Sequence, residues 1–198
     1  MSFVRRKILE FPAGAPLMAR RAAFFFLATA ILASGGCVKK KGFVRGEGFT
    51  ITFPPGWKMI EQDMEPTFNL TSKFQPYVVT YVSPEENPET FEPEASISIY
   101  TVKPDRQMWL EDEFPAIVET FVAGGFEILD KGQHEVDNII SWWLVYRYPQ
   151  RKKLILEFYI INDNNIFYRI QYTAQEDKFP DHRQDFENAK ATMKVSRW

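Results

Sequence analysis

The chain has 198 residues, a formal net charge of −2, one cysteine and two histidines, and these counts exclude several classes of protein. A lone cysteine cannot form an intramolecular disulfide, and the Cys and His residues are too few for a structural zinc site with four such ligands. Because neither kind of cross-link is available, the fold must be held together by packing alone. A general nucleic-acid-binding protein needs a basic excess, which this chain lacks.

The first part of the chain contains a segment organised like an export signal. Arg20 and Arg21 precede an apolar run at residues 22–33, and small residues at 34–36 separate that run from Cys37. The twelve residues of this run span roughly 18 Å as a helix, short of the roughly 30 Å hydrocarbon core, and the run has no polar face for a core helix. The order resembles the bacterial lipoprotein signal, which implies that Cys37 is acylated, for example with palmitate, and becomes the first mature residue.

Two features refine the interpretation of this leader. Glu10 and two prolines within residues 1–17 are atypical of a signal, so Met18 is an alternative start. Two alanines follow the arginine pair at residues 20–21, which is a poor match to a twin-arginine signal. In a bacterium with two membranes, Val38 after the cysteine, in place of an aspartate, favours the outer membrane.

The leader divides the chain into three predicted parts. Residues 1–36 form the signal peptide, residues 37–45 form a lipidated cysteine and basic tether, and residues 46–198 form one globular domain. Without the leader, 19 basic and 25 acidic residues remain, a net charge of −6, which argues further against nucleic acid as a partner. The lysines at residues 39–41 either attract an anionic membrane surface or are simply solvated.

The globular domain opens with short strands. Phe49, Ile51 and Phe53 alternate with threonines, the period of a half-buried strand, and residues 54–56 predict a turn. Residues 85–94 are acidic and interrupted by proline, which predicts a loop, and they lack the ligand spacing of an EF-hand calcium site. Further strands are predicted at residues 58–60, 68–74, 77–82 and 96–102.

One long helical pattern covers residues 105–122. Its apolar side chains recur on one face, which predicts burial of that face against a sheet. Pro115 predicts either a kink or a helix that starts near Glu113, and the glycines at residues 124–125 end the pattern. The predicted buried stripe comprises Leu110, Phe114, Ile117, Val118 and Phe121.

The rest of the domain is predicted to be a meander of strands and a closing helix. Strands at residues 126–135, 139–148, 154–161 and 166–174 are joined by turns so short that neighbouring strands must be antiparallel. Phe179 and Pro180 then open a helix that carries Phe186, Ala189 and Met193 on one side and packs back on the sheet.

The strand at residues 139–148 places Trp142 and Trp143 on opposite faces of the sheet. One ring is predicted to fill the core, and the other is either covered by a helix or belongs to an exposed patch. Trp142 and Trp143 are therefore candidate partner contacts, although core burial is the simpler expectation for each ring. One apolar face is predicted to contain Ile140, Trp142, Leu144, Tyr146 and Tyr148.

Several motifs together resemble one structural family. They are F-x-I-x-F-P-P-G-W at residues 49–57, the central helix, the meander, and Y-R-I-Q-Y-T-A at residues 168–174. In this combination the chain resembles the PsbP/Mog/DcrB-like superfamily over about residues 45–198, although residues 193–195 stand where a short Ser-Phe strand is expected. The resemblance implies an α+β fold, an α/β/α sandwich with a central antiparallel sheet of about six to seven strands and helices packed on it. It also implies an accessory, binding or assembly role without enzyme activity, and it carries over no functional residue.

Motifs for catalysis or metal binding do not occur in the sequence. It contains no G-x-S-x-G elbow, Walker loop or H-E-x-x-H motif. His134 and His182 lie far apart along the chain, so surface or structural roles are favoured over catalytic or metal roles. Asp181 and Asp185 share a helix face and could offer oxygens to a cation, but such pairs are usually solvated.

Three functional hypotheses remain, of which the first is favoured. The first is a lipid-anchored, non-enzymatic binding or assembly module of the cell envelope, without cofactor or metal, whose protein partner contacts an exposed apolar patch. The second is a small-molecule or metal-binding lipoprotein, which predicts a pocket with converging polar groups. The third is an envelope hydrolase, which needs a histidine within hydrogen-bond reach of Ser72, Ser141 or a carboxylate in a cleft.

Overall fold

The computed structural model describes residues 42–61, 70, 72–73 and 75–195. The predicted signal peptide, Cys37 and the lysines of the tether lie outside the described residues, as does most of the strand predicted at residues 68–74. Within the described residues there are two α-helices, α1 (Leu110–Ala123) and α2 (Phe179–Thr192), and a short 3-10 helix at Pro149–Arg151. The strands are β1 (Phe43–Gly46), β2 (Phe49–Thr52), β3 (Lys58–Ile60), β4 (Tyr77–Val82), β5 (Ala95–Val102), β6 (Glu127–Val136), β7 (Ile139–Tyr148), β8 (Lys153–Ile161), β9 (Phe167–Gln175) and β10 (Lys194–Val195).

Seven of these strands form a central antiparallel sheet in the order β3-β4-β5-β9-β8-β7-β6. This arrangement confirms the predicted α+β class and the predicted sheet of six to seven strands. The predicted meander corresponds to β6, β7, β8 and β9. Asp137 and Asn138, with φ of 50° and 60°, connect β6 to β7. Positive φ at both positions is what a two-residue type I′ hairpin requires, and Asp and Asn tolerate it well.

The two helices cover opposite faces of the sheet and produce the predicted sandwich. Helix α1 packs on β6, β7 and β8, whereas α2 packs on β5 and β9. Each helix closes a separate hydrophobic core: Tyr146 and Tyr159 belong to the core under α1, and Tyr168 and Tyr172 belong to the core under α2. The separation follows from strand geometry, because successive side chains point to opposite faces.

Helix α1 begins at Leu110, later than predicted, and continues through Pro115 to Ala123. The predicted alternative of a start near Glu113 is therefore wrong. Pro115 removes one backbone hydrogen bond, but the buried side chains of Phe114 and Ile117 on either side of it hold the helix against the sheet. The rest of the predicted stripe is also correct, with Ile117 and Phe121 buried and Val118 half-buried.

A second, three-stranded sheet has the order β1-β2-β10 and corrects the predicted domain boundary. Residues 43–45, assigned to the tether, lie in β1, which pairs with β2, so the folded domain starts before residue 46. The half-buried side chain of Val44 packs against the core under α2, and this contact stabilises β1 in the fold. At the other end, Lys194 and Val195 form β10 at the position where the family pattern has a short strand.

The carboxylate of Asp137 joins the two sheets. Its Oδ1 accepts a hydrogen bond from Lys194 Nζ at 2.8 Å, and its Oδ2 accepts one from the backbone N–H of Val195 at 2.9 Å. We expect Asp137→Ala to destabilise the domain by about 2–3 kcal/mol, because the variant loses both hydrogen bonds to the carboxylate and places alanine at positive φ. Thermal unfolding and hydrogen exchange at the Val195 amide measure the effect.

Asn138→Gly serves as the control for this prediction, because glycine also accepts the type I′ conformation at the neighbouring position. This control should leave the protection of the Val195 amide unchanged. Equal protection of that amide in the Asp137→Ala variant would contradict the assigned role of Asp137.

Candidate functional site

An open groove lies at one end of the central sheet, between the start of α1, the β6–β7 hairpin and the β8–β9 turn. We call it the hairpin groove. Its volume is about 660 Å³, which is within the range of binding clefts in proteins. The side chains that define it are those of Met108, Trp109, Glu111, Ile140, Trp142 and Asp163.

Two large apolar side chains of this groove are exposed to solvent. Trp109 is 60% exposed and Ile140 is 67% exposed, although residues of both types are usually covered in a folded domain. Trp142 lies beside them and is half-buried, with its ring 4.8 Å from that of Phe114 in α1. Apolar side chains grouped in a cleft mark an interaction site more often than scattered ones do.

The charge of the hairpin groove is negative. Glu111 and Asp163 are the charged residues among those described in its lining, and both are exposed. The nearby Arg106 does not offset them, because its guanidinium is paired with Glu113 at 2.6 Å. A ligand for this groove would therefore combine apolar groups with positive charge.

The segment that carries Trp109 is held by the β8–β9 turn. Asn165, at φ 57°, accepts a hydrogen bond from the Met108 N–H at 3.0 Å and donates one to the Arg106 carbonyl at 2.8 Å. Met108 itself is fully buried. Trp109 then adopts an extended conformation as the residue before α1, so its ring is presented at a defined position.

The predicted partner contacts are divided between the two faces of the sheet. Trp142 lines the hairpin groove, whereas Trp143 packs against the core under α2. Of these two rings, Trp142 is the one that lies beside the exposed side chains of the groove. Sequence patterns missed Trp109, because it lies outside the helical stripe.

Ile140 lies on the predicted apolar face of β7, but the cover predicted for the centre of the sheet does not reach it. The residue shares its face with Trp142 and Leu144, but β7 extends past the start of α1 and Ile140 is left in solvent. In the sequence, the only indication that Ile140 is exposed was its position near the end of an apolar strand.

A second notable arrangement is a buried polar cluster under α1, which we call the Glu157 network. Glu157 is fully buried in β8 and forms an ion pair with Arg169 of β9 at 3.1 Å. Gln171 Nε2 donates a hydrogen bond to Glu157 Oε1 at 2.6 Å, and the Tyr146 hydroxyl donates another at 2.9 Å. The Tyr159 hydroxyl donates to the other carboxylate oxygen.

The pKa values of both tyrosines and of the arginine in the Glu157 network are raised. Burial, and then the charge of Glu157, raise the pKa of Tyr146 and of Tyr159 far above the usual value, so both phenols remain hydrogen-bond donors. Burial disfavours the charged form of Arg169, but Glu157, Tyr159 and Tyr146 together outweigh that effect and raise the pKa of Arg169. The carboxylate is thus surrounded by donors from three adjacent strands.

The two histidines do not meet the serines proposed as nucleophiles. Buried His182 places Nε2 3.7 Å from a Glu94 oxygen, beyond hydrogen-bond distance. His134 is exposed, and only its backbone carbonyl accepts a hydrogen bond from Ser141 Oγ. Ser72 Oγ likewise donates to a backbone carbonyl, that of Lys103.

Metal ligands and membrane helices were also sought in the part of the chain that the structure describes. There, no group of three or more His, Cys, Asp or Glu side chains is arranged to hold a metal ion, and Asp181 is exposed on α2. Neither α1 nor α2 is long and apolar enough to cross a membrane.

Comparison with solved structures identifies the fold. No family model matches the sequence, and no curated protein matches it. The structure is similar to the solution structure of cyanobacterial PsbP (CyanoP) from Synechocystis sp. PCC 6803, with 14% identity and a TM-score of 0.53. The match covers 83% of this chain and 99% of that one. The chain therefore has a PsbP-like fold, which confirms the resemblance seen in its motifs.

Two further structures show weaker similarity. The protein of unknown function PA94 from Pseudomonas aeruginosa is 14% identical, with a TM-score of 0.49 over 76% of this chain and 93% of that one. LpqN, involved in cell envelope biogenesis of Mycobacterium tuberculosis, is 11% identical, with a TM-score of 0.49 over 75% of this chain and 83% of that one.

Proposed function

We propose that this chain, with its PsbP-like fold, is a lipid-anchored binding or assembly module of the cell envelope and not an enzyme. The leader supports the proposed location in the cell envelope, because its basic flank, short apolar run and small residues before Cys37 have the order of a lipoprotein signal. In a bacterium with two membranes, Val38 favours the outer membrane. The absence of catalytic motifs in the sequence supports the non-enzymatic role.

The exposed side chains of the hairpin groove are the observation that carries this proposal. Trp109 and Ile140 remain in solvent beside half-buried Trp142, and aromatic residues in such clefts are frequent anchors of protein interfaces. The carboxylates of Glu111 and Asp163 define the complementary charge. We assign the groove to a protein partner that presents an apolar side chain flanked by lysine or arginine.

Removing the two exposed apolar side chains tests this assignment. We expect the double variant Trp109→Ala, Ile140→Ala to weaken partner binding at least tenfold, because buried aromatic anchors commonly contribute about 2 kcal/mol or more. Folding should change by about 0.5 kcal/mol or less per site, since both side chains are exposed. The measurement is affinity capture of the full-length lipidated protein from detergent-solubilised native membranes, with quantitative mass spectrometry.

The matched control is the double variant Phe91→Ala, Val122→Ala. It also removes one exposed aromatic and one exposed aliphatic side chain, with 78% and 58% exposure, but outside the groove. The assignment predicts a partner that is retained by the control and lost from the groove variant. Equal recovery of every captured protein by both variants would exclude the groove as the contact surface.

A further inference from the structure

A separate basin lies on the sheet face that α1 covers only in part. It is bounded by the β7–β8 turn, the loop around Pro93, and β3, and it has a volume of about 380 Å³. It shares no described lining residue with the hairpin groove. We call it the polar basin, and the side chains that define it are those of Ser96, Ser98, Arg151, Lys153, Gln171 and Thr173.

The floor of the polar basin consists of hydroxyl and amide groups on two neighbouring strands. Ser96 lies directly opposite Thr173, and Ser98 lies directly opposite Gln171, in the β5–β9 register. Side chains opposite each other in such a pair are about 4.5–5.5 Å apart, comparable with the spacing of hydroxyls across a sugar ring. Among the described residues, the hydroxyls of Ser96 and Thr173 have no hydrogen-bond partner.

The rim of the polar basin carries positive charge. Arg151 is exposed, with its guanidinium 5.3 Å from the centre of the Tyr148 ring, and no ion pair of Arg151 occurs within the described residues. Lys153 is paired with Glu92 at 2.8 Å, and a hydrogen bond from Lys153 lowers the pKa of Glu92. With Glu92 ionised, one cation of the rim remains in excess.

The Glu157 network lies next to the floor of the polar basin and holds one floor residue, Gln171, in place. Gln171 lines the basin and donates its amide N–H to buried Glu157 at 2.6 Å. That bond orients the amide, so that its carbonyl oxygen is the end free to accept a ligand hydroxyl. A buried charge network against the wall of a pocket can hold a polar side chain of that pocket in one orientation.

We infer that the polar basin binds a small hydroxylated anion of the sugar-acid class. The carboxylate of the ligand pairs with Arg151, which can bind it through two parallel hydrogen bonds. The ring hydroxyls contact Thr173, Ser96 and the carbonyl oxygen of Gln171. This inference is independent of the protein-binding role proposed for the hairpin groove.

Isothermal titration of the full-length chain in detergent micelles tests the inference, with D-glucuronate as the probe and D-glucose and inorganic phosphate as comparison probes. We expect glucuronate to bind at least ten times more tightly than either. Arg151→Gln should weaken glucuronate binding at least tenfold, and Thr173→Val should weaken it severalfold while preserving the shape of a β-branched residue. Both variants should capture the protein partner of the hairpin groove as well as the parent chain does.

Arg183→Gln is the matched control, because Arg183 is an exposed arginine on α2 away from the basin. It should bind glucuronate like the parent chain. The inference is wrong if glucuronate shows no saturable binding, or if Arg151→Gln and Thr173→Val both bind it as tightly as the control. Equal affinity for inorganic phosphate would also overturn it, because the hydroxyl groups would then contribute nothing.

Discussion

Arg169→Met is expected to destabilise the domain by about 3–5 kcal/mol, because it leaves the Glu157 carboxylate buried without its counter-charge. Glu157 is fully buried and Arg169 is 5% exposed, so water cannot replace the lost partner. The remaining donors, Tyr146, Tyr159 and Gln171, are neutral and compensate only in part. A loss of this size is a large share of the stability of a typical domain.

Urea denaturation followed by far-UV circular dichroism measures this loss, with Arg183→Met as the control. Arg183 is exposed, so its replacement should change the free energy of unfolding by about 0.5 kcal/mol or less. The double variant Glu157→Gln, Arg169→Met should recover more than about 1 kcal/mol, because the unpaired charge is gone while an acceptor for the tyrosines remains. A single variant as stable as the control would show that Glu157 does not depend on Arg169.

Cys37→Ser is expected to abolish incorporation of a labelled fatty acid completely, because serine lacks the thiol that the proposed lipoprotein pathway modifies. The protein should then accumulate as an uncleaved precursor or leave the membrane fraction. Metabolic labelling with a palmitate analogue, together with gel mobility of the precursor and mature forms, measures both effects. The sequence has no other cysteine, so residual thioester or thioether labelling has no alternative site.

The control for the anchor is Ser34→Ala, which keeps a small residue near the cysteine and retains Cys37. This variant should be labelled and fractionated like the parent chain. Normal labelling and normal membrane association of the Cys37→Ser variant would contradict the proposed lipid anchor and envelope location.

The sequence predicted the secondary structure well where the periodicity was local. The stripe that includes Leu110 and Phe121 identified the buried face of α1, and the short connections of the last four strands identified an antiparallel meander. These signals depend on residues a few positions apart, so they can be recognised without knowledge of the tertiary fold. The boundary before β1 was missed because its strand pairing is weakly encoded by only four residues.

The candidate sites were much less predictable. Trp142 was identified as a candidate contact, but Trp109 and Ile140, which expose the most apolar surface in the hairpin groove, were not. Whether an apolar residue is covered depends on where another element ends, here the start of α1 relative to the end of β7. No local pattern contains that information.

By itself, the sequence determined the periodicity of the strands and helices, the resemblance to a PsbP-like fold, and the order of residues behind the proposed lipid anchor. Only the tertiary structure decided which side chains meet. The Glu157 network draws on β7, β8 and β9, and the polar basin adds β5 and the β7–β8 turn. The physical reason is that periodicity assigns a side chain to a face, whereas strand order, register and helix cover, which act over long sequence distances, determine its neighbours on that face.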